Sequence, residues 1–281
     1  MKPAFHKRAK PLLGTIVEIA IPYQDEVTFQ RITDIAFRRI EEIHRAMSFH
    51  EAESDLRKLA NARAGDIVAV SPDTWNTLQL ALEIEAVSDA IFNVTIAPAL
   101  VQSGQLPCPA PEKPAPTTLA HAVALDSDAR VRVNERVWID LGGIAKGYAV
   151  DAAVEALQTE VACGVVNAGG DLRVFGELHH TVSVRTPTAP NRAMPIAELT
   201  NLSVATSATY YSAADNIVGD RDAGSCQSVS VSVIAPTCAV ADALTKILWL
   251  KNPESEVVKK VLSHFHANAA LIDRAGQVTR I

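Results

Sequence analysis

The chain has 281 residues, of which 48% are hydrophobic and 21% are charged, so it is long enough to bury a substantial core. Its formal net charge is −6 and it has no basic run longer than His6-Lys7-Arg8, which excludes a general attraction to nucleic acid or acidic lipid. No stretch is apolar over the length that a bilayer requires, so membrane insertion is not expected.

The N-terminal segment is basic and then apolar, as an export signal would be. The apolar part, LLGTIVEIAIP, is interrupted by Glu18 and ended by Pro22, and it alternates as a strand does. It has neither a signal-peptide core nor a lipobox, and none of the four cysteines forms a C-x-x-C pair. We therefore expect reduced thiols and a cytoplasmic location.

The first half of the chain predicts long helices between short strands. Residues 14–21 alternate as a strand, and residues 66–70 form a shorter one. Apolar residues spaced by three and four predict helices over residues 26–47 and 72–91. A short helix is expected inside the polar segment 48–64.

The second half predicts more strands than helices. Residues 106–118 are proline-rich and predict an extended surface excursion. Residues 131–141 are expected to form a hairpin. Further helices are predicted over 148–157 and 239–250, strands over 161–168, 172–184 and 228–234 (the last with one buried face), and a closing hairpin over 269–272 and 278–281. This order lacks regular βαβ alternation and predicts an α+β fold, with mixed or antiparallel sheets packed against several helices in a single domain over residues 1–281.

A glycine turn lies in the stretch DLGGIAKGYAVDAAVEAL, residues 140–157, between a strand end and a helix. A helix N-terminus offers free N–H groups and a partial positive charge, and Lys146 adds a full one. Gly142 and Gly143 would let an anion approach the backbone. The spacing matches neither a Walker motif nor G-x-G-x-x-G. Two interpretations remain open: a phosphate site, or simply a tight turn.

Two further stretches bear on that choice. Asn167-Ala168-Gly169-Gly170-Asp171 follows a buried strand and either lines the same cleft or forms an ordinary Gly-Gly hairpin. Asp242 lies near the start of an apolar helix, where an acidic residue commonly complements the helix dipole. Beside a phosphate it would instead be a candidate ligand for Mg²⁺.

Seven stretches, in order, resemble the ApbE-type flavin transferases, which move FMN from FAD onto a threonine of a partner protein. DLGGIAKGYAVD carries the most specific resemblance, and the ordered set is more specific than any one motif. The stretches are LLGTIVEI, AMSFHEAESDLRKLAN, AIFNVTIAPALV, DLGGIAKGYAVD, NAGGDLRVFG, SVATSATYY and VADALTKIL.

The resemblance implies one ApbE-like α+β domain that holds FAD in a cleft with Mg²⁺ at the diphosphate. The implied reaction is phosphoryl transfer: a threonine hydroxyl of an acceptor flavoprotein attacks the FMN phosphorus and AMP leaves. Asp242 and Lys146 would be catalytic, and the Ala145 carbonyl, Asp242 and Thr245 would hold the metal. The implied FAD-binding residues are Met47, His50, Gly142, Gly143, Lys146, Asn167, Gly169, Gly170, Asp171, Thr206, Ser207 and Lys246.

The chain departs from the family pattern in three respects. The threonine expected four residues after Asp242 is Lys246, whose ammonium would sit where a metal sits. Thr245 is one place early, and a rotation of about 100° per residue predicts that it points elsewhere. The H-I-I-D-P-x-T-G segment is replaced by DNIVGDRDAGSCQS, with Asn216 for the histidine and Asp220 or Asp222 as substitutes. His50 replaces a tyrosine, and Asn93 replaces an aspartate.

The predicted function is FMN transfer from FAD to a threonine. One alternative is a family member that binds flavin or nucleotide without transferring it, which Lys246 and the altered segment would favour. Another is an FAD hydrolase, in which water replaces threonine and the products are FMN and AMP.

Overall fold

The computed structural model describes residues 5–186, 189–208 and 228–281. In chain order its helices are α1 (Glu26–Met47), α2 (Asp55–Asn61), α3 (Pro72–Val87), α4 (Ala97–Gln102), α5 (Leu119–Ala122), α6 (Ala145–Gln158), α7 (Cys238–Leu250) and α8 (Glu256–His264). Its strands are β1 (Phe5–Leu12), β2 (Thr15–Pro22), β3 (Ile67–Ala69), β4 (Val123–Asp126), β5 (Arg130–Val133), β6 (Gly164–Ala168), β7 (Asp171–Phe175), β8 (His180–Thr186), β9 (Ala189–Leu199), β10 (Ser203–Ala208), β11 (Ser228–Ala235), β12 (Asn268–Asp273) and β13 (Val278–Arg280).

The architecture is the predicted α+β class. An eight-stranded antiparallel sheet runs in the order β1-β2-β6-β7-β10-β11-β12-β13, and two smaller sheets contain β3-β5-β4 and β8-β9. Helix α6 packs against α1 and α7, and α7 packs on β10 and β11. A second apolar cluster joins the sheet to the β8-β9 hairpin. Because both faces are covered, Ser230 and Ser232 of β11 are as buried as its valines, and the prediction of one buried face is wrong.

Helix α1 has the predicted bounds because its start and its apolar stripe are both legible in the sequence. The side chain of Asp25 accepts a hydrogen bond from the Thr28 N–H, as an N-cap does. Phe29, Ile32 and Ile40 are among the residues buried against the core. Helix α3 starts at Pro72 as expected, but it ends at Val87 rather than at residue 91.

Strand β1 is a difference from the predicted elements. It pairs with β2 across a two-residue turn at Leu13 and Gly14, which have φ values of 55° and 71°. The sequence concealed it because the basic residues Lys7, Arg8 and Lys10 interrupt the apolar pattern. Charged side chains are common on an edge strand, where they discourage pairing with a second sheet.

The predicted hairpin over residues 131–141 is wrong. Strand β5 pairs with β3 and β4 instead. Residues 137–141 run unpaired beneath the surface, with Trp138 and Ile139 2% and 0% exposed, and the Asp140 N–H donates to the Val94 carbonyl at 2.8 Å. The alternation of apolar residues correctly indicated a buried extended segment here, but it could not indicate whether that segment pairs with a strand.

The proline-rich residues 106–118 contain no helix or strand, as expected. Their end is fastened by Asn93, whose Nδ2 donates to the Thr117 carbonyl at 3.0 Å. An aspartate could not donate this hydrogen bond, so the Asn93 departure has a structural reason. None of the helices in the described part of the chain is long and apolar enough to cross a bilayer.

Candidate functional site

The glycine turn leads directly into α6, which begins at Ala145 rather than at the predicted residue 148. Lys146 and Gly147 therefore belong to its first turn. A Cβ on Gly147 would lie 2.3 Å from the Cys238 carbonyl oxygen, so this glycine is required where the starts of α6 and α7 cross. The Gly147 N–H donates to Asp242 Oδ2 at 3.3 Å, which joins the two helix starts.

Four charged side chains from α6, β7 and α7 meet at this crossing, and we call them the charge cluster: Lys146, Asp171, Asp242 and Lys246. Lys146 Nζ donates to Asp171 Oδ2 and lies 3.8 Å from Asp242 Oδ2, and Lys246 Nζ lies 2.7 Å from Asp242 Oδ1. The carboxylate side chains are 4% and 1% exposed, whereas those of Lys146 and Lys246 are 36% and 22% exposed. The cluster thus keeps its anions buried and its cations accessible.

The pKa values in the cluster reflect burial and mutual charge. Burial alone would lower the pKa of Lys146, but the charges of Asp242 and Asp171 outweigh it and hold that pKa above its usual value. Burial and the charge of Asp242 raise the pKa of Asp171 to about 6, against the opposing effect of both lysines. Lys146 is therefore a permanent cation, and Asp171 titrates near neutrality.

Lys246 Nζ is surrounded by oxygen atoms. Besides Asp242 Oδ1, it lies 3.2 Å from the Asp242 carbonyl, 2.9 Å from Thr245 Oγ1 and 3.3 Å from Ser207 Oγ. The expectation that Thr245 points elsewhere is therefore wrong. The Thr245 hydroxyl donates to the Asp242 carbonyl at 2.7 Å, a hydrogen bond that threonine commonly makes within helices. This hydrogen bond places Oγ1 beside the Lys246 ammonium.

The glycine turn lies beside Lys246. A Cβ on Gly143 would lie 3.5 Å from Lys246 Cγ and 3.7 Å from Phe92 Cε2, so it would stand over the lysine without a clash. Neither Gly142 nor Gly143 has a positive φ, so the backbone conformation does not require glycine here. A Cβ on Gly142 would lie 3.0 Å from Asp140 Oδ2, so crowding explains that glycine. Gly143 has no such steric requirement, which favours the anion-site interpretation.

The second glycine pair forms the ordinary hairpin. Gly169 and Gly170 have φ values of 65° and 107° and connect β6 to β7, with Ala168 opposite Asp171. The Gly170 N–H donates to Asn167 Oδ1 at 3.1 Å. This turn nevertheless serves the site, because it places Asp171 at the first position of β7, within reach of Lys146.

Strand β10 contributes one of its two expected residues to the cluster. Ser207 Oγ lies 2.9 Å from Thr245 Oγ1. Thr206 instead bonds across the sheet to Ser232, with Oγ1 2.8 Å from Ser232 Oγ. Adjacent residues of a strand point to opposite faces, so Thr206 and Ser207 cannot both face α7.

The remaining expected residues lie near the turn or outside the described part of the chain. His50 is exposed in the loop after α1 and lies near Asp140, whose pKa is raised by burial against the smaller opposing effects of the Gly142 N–H hydrogen bond and the charge of His50. Met47 is 5% exposed and packs in the core, and Ala145 begins α6. The predictions for Asn216, Asp220 and Asp222 fall outside the described residues.

Asp151 is a supporting residue that sequence reasoning missed. Its carboxylate accepts hydrogen bonds from the Cys238 and Ala239 N–H groups at 2.9 and 2.8 Å, and Arg173 NH1 lies 2.6 Å from Oδ1. It thereby caps the start of α7 and fixes Asp242 relative to α6. An acidic residue among the alanines and valines of α6 was the available signal.

The donor atoms here do not fit Mg²⁺. Asp242 Oδ1 holds the Lys246 ammonium and Oδ2 accepts the Gly147 N–H, so both carboxylate oxygens are engaged. Two ammonium groups beside them would repel a dication. Among residues 5–186, 189–208 and 228–281, no three His, Cys, Asp or Glu side chains are grouped as metal ligands would be.

Comparison with known proteins identifies the family of the chain. The model of the ApbE family matches residues 13–271. An FAD:protein FMN transferase of Vibrio cholerae is 24% identical over 87% of this chain and 80% of its own length. An FAD:protein FMN transferase of Klebsiella pneumoniae is 28% identical over 71% of this chain and 65% of its own length. The crystal structure of the ApbE protein from Thermotoga maritima superposes with a TM-score of 0.78 at 25% identity, covering 99% of this chain and 97% of that one.

Proposed function

Because the chain belongs to the ApbE family, we propose that it transfers FMN from FAD to a threonine of an acceptor protein and releases AMP. The observation that carries this proposal is the charge cluster beneath the Gly142-Gly143 turn. A diphosphate diester carries two negative charges. The accessible charges of the cluster are the ammonium groups of Lys146 and Lys246, and the N-terminal end of α6 adds a partial positive charge. The buried carboxylates of Asp171 and Asp242 hold the lysines in place.

The proposed reaction is a single displacement at phosphorus. The threonine oxygen forms a bond to the FMN phosphorus, the bond from that phosphorus to the bridging oxygen breaks, AMP leaves with the electron pair, and the hydroxyl proton passes to solvent. Lys146 and Lys246 bind the diphosphate and offset the charge that moves onto the leaving phosphate. Asp242 acts by positioning both lysines. The resemblance implies Mg²⁺, but the donor atoms do not fit it and no step here depends on it.

The test is covalent labelling. The chain is incubated with FAD and an acceptor domain that carries a threonine motif, and the denatured acceptor is then examined for flavin fluorescence and for the mass of one FMN. We expect labelling, lost when the acceptor threonine is replaced by valine. Failure with several acceptors that the Vibrio cholerae enzyme does label would contradict the proposal.

A second candidate is a family member that binds FAD without transferring FMN. It is favoured by one observation, the Lys246–Asp242 ion pair at the position where the family pattern has threonine. The same incubation separates the cases: binding without labelling or AMP supports this candidate, and AMP without labelled acceptor supports FAD hydrolysis.

FAD affinity is expected to rise as the pH falls through about 6. Asp171, with its pKa raised to about 6 by burial and by the charge of Asp242, becomes neutral below that pH, so the cluster gains one net positive charge while the diphosphate stays ionised. We expect the dissociation constant of FAD to fall by about fivefold between pH 7.5 and pH 5, which corresponds to about 1 kcal/mol of binding free energy.

The control is Asp171→Asn, which resembles the protonated form and should show little pH dependence. Fluorescence titration with FAD supplies the dissociation constants. Equal pH profiles for the two proteins would contradict the assignment of the titrating group.

We further propose that residues 1–281 form one domain and that the protein works in the cytoplasm. The family match over residues 13–271 supports the first proposal. Free thiols at Cys108, Cys163 and Cys238 support the second.

A further inference from the structure

We infer that the Lys246 ammonium is the resident cation of this site, so that the chain binds a dinucleotide without a divalent metal. The inference rests on the proposed function for the identity of the ligand, but its first test needs no ligand. It starts from the four oxygen atoms around Lys246 Nζ.

Those oxygens are the kind that a hard cation prefers: a carboxylate, a main-chain carbonyl and two hydroxyls. They lie 2.7–3.3 Å from Nζ, distances that suit N–H···O hydrogen bonds. Asp242 is 0% exposed and a buried carboxylate has to be paired, which Lys246 achieves from its own helix, one turn on.

Counting charge shows what Lys246 prevents. With Lys246, the two lysines balance Asp171 and Asp242. Without it, the cluster has a net charge of −1, and Asp242 Oδ1, the Asp242 carbonyl and the hydroxyls of Ser207 and Thr245 lose their shared cation. A neutral residue at position 246 should therefore create a metal site.

The ammonium is also placed to meet a ligand. The Lys246 side chain is 22% exposed, and a Cβ on Gly143 would contact its Cγ and Cε at 3.5 and 3.6 Å. An anion resting on the glycine turn would therefore meet Lys246.

The first experiment titrates Mn²⁺ into the ligand-free protein and follows the electron paramagnetic resonance signal of the free ion. We expect no stoichiometric binding by the unsubstituted chain. Lys246→Met and Lys246→Thr should each bind one Mn²⁺, at least about tenfold more tightly. Lys259→Met, which removes an exposed lysine of α8, is the matched control and should behave as the unsubstituted chain.

The second experiment measures FAD binding in EDTA and in excess Mg²⁺. The unsubstituted chain should show the same dissociation constant within about twofold, and Lys246→Met should bind about tenfold more weakly in EDTA and recover in Mg²⁺. One tightly bound Mn²⁺ in the unsubstituted chain, or loss of its FAD binding in EDTA, would overturn the inference even if the variants fail to fold.

The two proposals fail separately. Labelling of the acceptor that strictly requires Mg²⁺ would retain the transferase function and overturn the role of Lys246. Metal-independent FAD binding without labelling would retain the role of Lys246 and leave the protein as a flavin-binding member of the family.

Discussion

Asp242→Asn is expected to lower the free energy of unfolding by about 3 kcal/mol and to abolish measurable FAD binding. Asp242 is fully buried, pairs with Lys246 and lies 3.8 Å from Lys146 Nζ. The asparagine keeps the shape but no longer anchors the ammonium groups of Lys246 and Lys146, and the loss of their positions outweighs the net positive charge that the cluster gains. The estimate lies at the lower end for a broken buried ion pair because both lysines are partly exposed.

Urea unfolding and FAD fluorescence quenching measure the two effects. Asp89→Asn is the matched control, because Asp89 pairs with Lys260 at the surface, where both side chains are more than half exposed. That change should cost less than about 0.5 kcal/mol and leave FAD binding unchanged. If Asp242→Asn unfolds at the same urea concentration as Asp89→Asn, the charge cluster does not hold the helix starts together.

Gly147→Ala is expected to destabilise the protein by about 3 kcal/mol and to disrupt the site. The added methyl would lie 2.3 Å from the Cys238 carbonyl oxygen and 2.7 Å from the Ala239 nitrogen. Both atoms belong to the backbone, so α6 and α7 must separate. Asp242 and Lys246 would then move away from Lys146.

Gly143→Ala provides the comparison for this substitution. Its methyl would meet Lys246 and Phe92 at ordinary contact distances of 3.5 Å or more, so the stability should change by less than about 1 kcal/mol. FAD binding should nevertheless weaken, because the methyl occupies the space over the turn. Unfolding curves for the two variants decide the point: equal stabilities would contradict the close crossing of α6 and α7.

Sequence reasoning succeeded where structure is local. The bounds of α1 were predicted from a stripe of apolar residues spaced by three and four, a pattern read from nearby positions, and the Asp25 cap agrees with them. It failed where the structure of a segment depends on residues that are distant in the sequence. Residues 137–141 alternate like a strand yet pair with none, and β1 escaped notice because its side chains are charged. Pairing depends on distant residues that no local pattern specifies.

The same distinction holds for the site. Lys146, Asp171, Asp242 and Lys246 were all expected there, because each stands in a motif of the family. The pairing of Lys146 with Asp171 and its approach to Asp242 were not expected, since they depend on β7 and α7 meeting α6 from 25 and 95 residues away. Gly147 was given no role of its own from the sequence, and the helix crossing explains it.

A crystal structure of the chain grown with FAD in a buffer that contains Mg²⁺ tests the central claim most directly. We expect the diphosphate to lie beside Gly142 and Gly143, within hydrogen-bonding distance of Lys146 Nζ and Lys246 Nζ, with Lys246 still paired to Asp242. A diphosphate bound away from the charge cluster, or joined to Asp242 through a metal with Lys246 displaced, would contradict it.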